Sequence, residues 1–299
     1  MVQGAKLERT ALRRNFDRAA STYDAASAVQ REVARRMGKR LDYVKRAPAR
    51  LLDLGCGTGA DLVWLASRYP SAERIGCDLS LPMLERARGG TSWFTRLFPV
   101  SRPARSALLC ADAVRLPFAT NRFGMVWSNL ALHWAEDPVA VFREVLRVLE
   151  VEGLFMFSLP GPDTLKELRR AFDAADAAPH VHGFVDMHDI GDMLVSAGFA
   201  EPVMEMELIT VTYGDAADLV RELRHSGSGN ASARRRRGLM GRNAWRTMLL
   251  SYEALRRDSR LPATLEVVYG HAWKPRPRAS RDGRAIVRFE RGRHGGAAT

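Results

Sequence analysis

Long apolar runs, a cysteine framework and internal repeats are all missing from this 299-residue chain, and each absence removes a class of protein. No stretch approaches the roughly 20 consecutive apolar residues that a membrane span requires. The opening MVQGAKLERTALRRNFDRAA has no apolar centre like that of a signal peptide, so a cytoplasmic protein is expected. Cys56, Cys77 and Cys110 fall in or beside expected strands without Cys-x-x-Cys spacing. Neither a disulfide framework nor a zinc site is indicated, no metal is expected, and the three read as buried thiols. With 46% hydrophobic residues, the chain can bury one substantial core with appendages.

What is present in excess is positive charge, and it is unevenly placed. The formal net charge is +12, yet residues 221–299 hold 18 Arg and one Lys against six acids, which is +13 by itself. The first 220 residues therefore come to about −1. A neutral body with a cationic final quarter implies docking to something anionic: nucleic acid, a membrane surface or an acidic protein.

Hydrophobic periodicity divides the chain. Leu12, Phe16 and Ala19, then Val29, Val33, Met37, Leu41 and Val44, fall at helical spacing and predict two N-terminal helices. From Arg50 onward, strands are expected at 49–55, 74–78, 107–112, 123–129 and 153–159, with helices at 60–68, 82–88 and 138–149 between them. Such alternation specifies a parallel sheet covered on both faces. An amphipathic stretch at 163–174 and a helix at 187–197 follow, the latter closed by Gly198 at a C-cap position. Two more strands, around 203–212 and 264–270, flank an excursion of about fifty residues that carries Arg234, Arg235, Arg236 and Arg237 and a helical stretch near 245–255. An excursion of that length reads as a lid, a binding loop or a flexible segment.

The chemistry concentrates at expected strand ends. In LLDLGCGTGA, residues 51–60, a strand ends at Asp53 and passes through Gly55, Cys56, Gly57 and Gly59 into a helix. Glycines permit positive φ and let backbone approach a ligand closely. Gly-x-Gly-x-Gly differs from the Gly-x-Gly-x-x-Gly of dinucleotide sites. An acid directly before the loop would repel a pyrophosphate but suits a cationic ligand, such as a sulfonium bearing an α-ammonium group. Asp78 ends the next strand, 25 residues on, where an acid can accept both hydroxyls of a ribose. Asp112 ends the third and is placed to accept from an adenine amino group. Ser128, Asn129 and Leu130 end the fourth, with their backbone toward the rest of such a ligand.

With these residues in place, the sequence resembles the class I S-adenosylmethionine-dependent methyltransferases (methyltransferase type 11-like) over residues 50–200. More narrowly, over 11–275, it resembles the BioC family, the malonyl-acyl-carrier-protein O-methyltransferases of biotin synthesis. That likeness rests on ALRRNFDRAASTYDAASAVQREVA (11–34), WSNLALHW (127–134), RRRRGLMGR (234–242) and TLEVVYGHAWKP (264–275). The first and last are the more telling, because generic methyltransferases vary widely outside the cofactor site. The resemblance implies a Rossmann-like α/β fold whose seven-stranded, mostly parallel sheet has the order 3-2-1-4-5-7-6. It implies an N-terminal helical cap at 1–46 and a methyltransferase domain at 47–275. Within that domain lie insertions at 89–106, longer than the family pattern leads one to expect, and at 213–262, a basic lid or docking segment; a basic tail at 276–299 lies beyond any motif.

The resemblance also assigns roles. S-adenosylmethionine is the implied cofactor, held by Asp53, Gly55, Gly57 and Gly59 at its methionyl end, Asp78 at the ribose, Asp112 at the adenine, and Asn129 and Leu130 on the sulfonium side, with Cys56, Leu79, Met83 and Ala113 also at the cofactor. Tyr23 and Gln30 close over the site. The implied acceptor is the carboxylate of a malonyl thioester on acyl carrier protein, already ionised at neutral pH. No general base is needed; Tyr23 is placed to orient the carboxylate, and His133 to do the same or to supply positive charge. Arg234 to Arg237, with Arg242 and Arg246, are expected to meet the acidic carrier as an exposed, flexible set, on an enzyme expected to be a monomer. Two rival readings remain: a methyltransferase for a small hydrophobic acceptor such as a quinone precursor, and a non-catalytic assembly or RNA-associated protein. The absence of a recognisable RNA-binding module disfavours nucleic acid. SNLA in place of an Asn-Pro-Pro-Tyr-like motif after the fourth strand disfavours amino methylation.

Overall fold

A computed structural model describes residues 7–89 and 106–277. The insertion expected at 89–106 lies outside the described residues apart from its two ends, and so does the tail beyond 277. Seven strands form one sheet: β1 (Arg50–Leu54), β2 (Glu73–Asp78), β3 (Ser106–Cys110), β4 (Phe123–Asn129), β5 (Leu149–Pro160), β6 (Ala200–Tyr213) and β7 (Leu261–Trp273). Their order is β3-β2-β1-β4-β5-β7-β6, as expected. The first five pair in parallel, while β7 runs antiparallel to both β5 and β6. β6 and β7 extend beyond the expected spans, because their outer halves pair where the sequence alternates without a long apolar run. Cys56 and Cys77 are buried, but Cys110 is exposed, which corrects the expectation of three buried thiols. It ends β3, which among the described residues is an edge strand beside β2.

Alternation along the central strands sends side chains to opposite faces. Leu52, Val126, Phe155 and Phe157 pack with Val141, Phe142 and Val145 of α6 (Pro138–Val148) and Ile190 and Leu194 of α8 (Met187–Ala197). On the other face, Leu51, Met125, Trp127, Leu154 and Met156 meet Leu65 of α4 (Ala60–Arg68) and Val33 and Met37 of α3 (Ala28–Arg40). Thus α3, expected as part of a cap, is a wall of the core. Local signals fix the helix ends. Asp137, ahead of Pro138, accepts from Ala140 N–H at 3.0 Å; Asp186 accepts from His188 N–H at 2.8 Å; Gly198 closes α8 at φ 101°.

The long excursion is a folded helical layer. α9 (Ala216–His225), which the hydrophobic pattern did not reveal, and α10 (Arg242–Glu253) pack with α7 (Lys166–Asp173) on the outer ends of β6 and β7 through Leu168, Phe172, Leu219, Met248 and Tyr252. Over the carboxyl ends of β1, β2 and β4 lie α1 (Arg9–Ala19) and the single turn α2 (Tyr23–Ala26); α5 (Leu81–Gly89) supports α1 through Met83. No helix among the described residues is long and apolar enough to cross a membrane.

Candidate functional site

The turn after β1 is built from residues in left-handed conformations, with φ of 80° at Gly55, 52° at Gly57 and 83° at Gly59. The three glycines serve different ends. A Cβ at Gly55 would collide with Ala131, so that position is fixed by packing. A Cβ at Gly57 would meet nothing nearer than Tyr23, at 3.8 Å, and Gly57 lines an open cleft of about 880 Å³ at the carboxyl ends of the strands. Gly59 stands at the head of α4 as its N-cap. Backbone approach to a ligand is therefore the requirement at Gly57.

Of the residues singled out in the sequence, Tyr23, Gly55, Gly57, Asp78, Leu79, Met83, Asp112, Ala113, Asn129 and Leu130 line this cleft. Arg13, Phe16, Ser80 and Trp134 line it as well, although their helical or turn positions carry no strand-end signal. The Cys56 side chain instead packs against Leu62 and Leu84. Asp53 lies behind the glycine turn, 1% exposed, and its Oδ2 has no hydrogen-bond partner. Burial raises its pKa well above the usual carboxylate range, and Asp61 and Asp78 add to the rise. Burial likewise raises Asp61, against a hydrogen bond from Trp127 Nε1 at 2.9 Å. Asp78, also raised by burial, accepts from Gly57 N–H at 2.9 Å and Ser80 N–H at 2.8 Å. Three crowded acids, one with a buried unpartnered oxygen, form a site short of positive charge. A ligand bearing an ammonium and a sulfonium fits that deficit.

The N-terminal helices close over this cleft. Ser80 donates to Asp17 at 2.6 Å, Thr58 to Asp24 at 2.5 Å, and Arg9 pairs with Asp112. Asp112 is the residue expected to receive an adenine amino group, so the ligand must compete with Arg9. Replacing Arg9 by Ala should therefore tighten S-adenosylmethionine binding by about twofold to fivefold, the range that an exposed ion pair contributes. Titration calorimetry on the two proteins checks this.

Next to the cleft lies a second cavity of about 1110 Å³, between α2, α7, α9 and the 180–184 segment. Phe16, Tyr23, Leu130 and Trp134 belong to both cavities. Leu130 is held at φ 46° by its N–H donating to the carbonyl and hydroxyl of Ser158, while Asn129 Nδ2 donates to the Gln30 carbonyl at 3.0 Å. Gln30 lines the second cavity with its Oε1 buried and unpartnered. Tyr23 is surrounded by acids. Burial, followed by Asp61, Asp78, Asp24 and Asp53, pushes its phenol pKa upward, so it remains protonated.

His133 lines the second cavity and packs at 4.5 Å from the Trp134 ring. Burial pulls its pKa down to about 3, with His182 adding to the effect. Of the two roles expected for His133, a lowered pKa favours hydrogen bonding over the supply of positive charge. His180, His182, Tyr213 and Glu222 also line this cavity and were missed in the sequence, since they come from segments without a recognisable motif; Glu266 lines it too, from within TLEVVYGHAWKP, where the resemblance assigned it no role.

The arginine run departs from expectation. Rather than a free, flexible set, Arg235 and Arg237 clamp Glu8 at 2.8 and 2.6 Å, and Arg236 reaches Asp176 at 3.2 Å. The carboxyl group of Glu8 is held below the usual range by these arginines, above all by its hydrogen bond from Arg235. The clamp exists because Leu7 bridges to Ser232 and Glu8 N–H donates to the Ala231 carbonyl at 2.7 Å, which docks the run beside α1. Arg234, Arg242 and Arg246 are exposed and have no ion pair among the described residues.

Comparison with known proteins agrees with this architecture. Residues 52–157 match the family model described as a methyltransferase domain. Among solved structures, the YcgJ protein from Bacillus subtilis superposes with a TM-score of 0.56 at 17% identity, covering 81% of this chain and 98% of that one; this is a likeness of fold. A malonyl-[acyl-carrier protein] O-methyltransferase of Gallionella capsiferriformans is 52% identical over 94% of this chain and 96% of its own length. One from Laribacter hongkongensis is 50% identical over 97% and 98%. Half of the residues shared across nearly the full length of both relatives, on a sheet whose carboxyl ends carry this acid-lined cleft, place the chain in the malonyl-[acyl-carrier protein] O-methyltransferase family.

Proposed function

We propose that this enzyme transfers a methyl group from S-adenosylmethionine to the free carboxylate of a malonyl thioester on acyl carrier protein, an early step of biotin synthesis. The observation that carries this reading is the junction of the two cavities at Phe16, Tyr23, Leu130 and Trp134, where groups held on either side face each other. When bound, S-adenosylmethionine supplies a methyl group activated by attachment to a sulfonium. Asp53 and Asp61 would face its positive charges, Asp78 and Asp112 would receive the ribose and adenine, and Gly57 leaves room for it. On the acceptor side, a malonate carboxylate is ionised at neutral pH, so no residue has to remove a proton. Protonated Tyr23 and neutral His133 can only hydrogen-bond to it; their work is to aim it and keep water away. Apolar Val29, Leu165, Leu168 and Leu219 enclose the remainder of that cavity.

Ser226, Ser228 and Asn230 line the far part of the cavity and lead into the arginine run. A thioester arm entering there reaches Tyr23 while its carrier stays on the arginines. Docking falls to Arg234, Arg242 and Arg246, which have no ion pair among the described residues, whereas Arg235, Arg236 and Arg237 first hold the enzyme's own acids. In this reading the enzyme works as a cytoplasmic monomer, and the charge serves a protein partner instead of nucleic acid.

Incubation with methyl-labelled S-adenosylmethionine and malonyl-, succinyl- and acetyl-carrier thioesters tests the assignment. Label is expected in a base-labile ester of the malonyl thioester and absent from the acetyl one; labelling of acetyl-carrier would overturn it. For docking, the triple replacement of Arg234, Arg242 and Arg246 by Ser should lower kcat/KM on malonyl-carrier at least about tenfold and leave melting unchanged, since exposed charges without fixed partners add little stability. Malonyl-CoA turnover should fall clearly less. Equal losses on both substrates would remove the docking role.

A further inference from the structure

Consecutive residues at the start of α1 face different sites. Glu8 sits between Arg235 and Arg237, at 2.8 and 2.6 Å, on the turn that carries the arginine run, while Arg9 pairs with Asp112 in the cofactor cleft. Leu12, Arg13 and Phe16 of the same helix line that cleft, so α1 is a cover over it. Its ends are held differently. The carboxyl end runs through α2 into α3, whose Val33 and Met37 belong to the core. Thr22, close to that end, donates to the His225 carbonyl at 3.0 Å, and Asn15 Nδ2 donates to the Gly229 carbonyl at 3.1 Å. At the amino end the apolar contact is small: Ala11 and Leu12 meet Ala231, with Phe16 and Trp134 beside them. What else holds that end is the Leu7–Ser232 bridge, the Glu8 N–H on the Ala231 carbonyl, and the two arginines on the Glu8 carboxylate. Without that charge, α1 stays anchored at one end and is lightly held at the other.

We propose that Glu8, Arg235 and Arg237 form a latch on the cofactor cleft, which holds α1 shut over bound S-adenosylmethionine and sets how fast cofactor enters and S-adenosylhomocysteine leaves. One cofactor is consumed for each methyl group transferred, so the cleft has to open in every turnover. Surface ion pairs suit that task, because each contributes modestly and two on one carboxylate close the cover without sealing it. None of the three residues lines the cleft. The latch therefore acts alike on empty and filled protein, changing the rates of exchange and leaving the affinity nearly as it was. This role is independent of which acceptor is methylated.

Stopped-flow mixing and displacement with S-adenosylhomocysteine test the latch in the full-length protein. Glu8→Gln should raise the association and dissociation rate constants together, by about threefold to tenfold, with Kd within about twofold of wild type. Glu8→Arg, which sets like charges against one another, should exchange faster still. Reversing the whole latch, with Glu8→Arg, Arg235→Glu and Arg237→Glu in one protein, should bring both rates back to within about twofold of wild type, a rescue that a merely structural defect would not show. Salt supplies a check that needs no variant. Raising the ionic strength from about 0.1 M to 1 M shortens the Debye length from about 10 to 3 Å, and should speed exchange in wild type while hardly affecting Glu8→Gln. Unchanged rates in Glu8→Gln, or rates in the reversed protein as fast as in Glu8→Arg, would overturn the latch. A faster dissociation matched by an equal loss of affinity would overturn it as well, since Glu8 would then support the bound ligand and not the closure.

Discussion

Replacing Asp53 by Asn should weaken S-adenosylmethionine binding by at least about thirtyfold while raising the melting temperature of the unliganded protein. The affinity loss corresponds to roughly 2 kcal/mol, the contribution of one hydrogen bond to a charged group. The rise in stability has the opposite origin. Asp53 is enclosed, has an oxygen without a partner, and shares its surroundings with Asp61 and Asp78, so burial raises its pKa. A carboxyl group whose pKa is higher folded than unfolded contributes stability below its unfolded value, about 4, and that contribution is lost as pH rises through the folded value. Wild-type melting should therefore decline over that interval relative to Asp53→Asn, and S-adenosylmethionine should bind with release of protons and more tightly as pH rises. Calorimetry in buffers of different ionisation enthalpy, with melting curves of both proteins from pH 4 upward, measures all three. An Asn variant that binds the cofactor normally would sink the placement of its charged end.

Tyr23→Phe should lower turnover by about tenfold to a hundredfold, equivalent to roughly 1.5 to 3 kcal/mol of a hydrogen bond to a charged acceptor. Cofactor affinity should barely change, since the phenyl ring still packs beside Gly57. The phenol cannot act as a base, because burial and four nearby acids keep its proton in place. The pH profile of turnover should accordingly be flat between about 6 and 9 for wild type and variant alike, with acceptor pKa near 4 and the His133 pKa held near 3 by its enclosure. A titration in that window that disappears in Tyr23→Phe would replace orientation by proton removal as the role of this residue.

How far the site could be read in advance depended on the range of the forces involved. Helices α4 and α8 match their expected spans because their ends are set within a few residues, by Gly59 at one and by Asp186 and Gly198 at the other. α9 escaped notice because its buried face is only Ala216 and Leu219, too short a stripe to stand out from a charged background. His182 carried no signal at all. A histidine in an irregular segment acquires meaning only from what folds around it, here Trp134 and the Ala231 N–H, 48 and 49 residues away in the chain.

By itself, the sequence determined the alternation of strands and helices, the turn that only glycines can make, and the acids at successive strand ends. These depend on local periodicity, and a parallel sheet then gathers its strand ends on one edge whatever the details of packing. The tertiary structure alone decided the rest: that α3 walls the core, that burial lowers the pKa of His133 and His182, and that Arg235 and Arg237 are engaged by Glu8. The Glu8–Arg237 contact joins residues 229 apart. Whether a charge is free or paired, and whether an imidazole is protonated, depends on neighbours at 3 to 5 Å and on exclusion of water. No local pattern encodes those distances; they exist only once the chain has closed on itself.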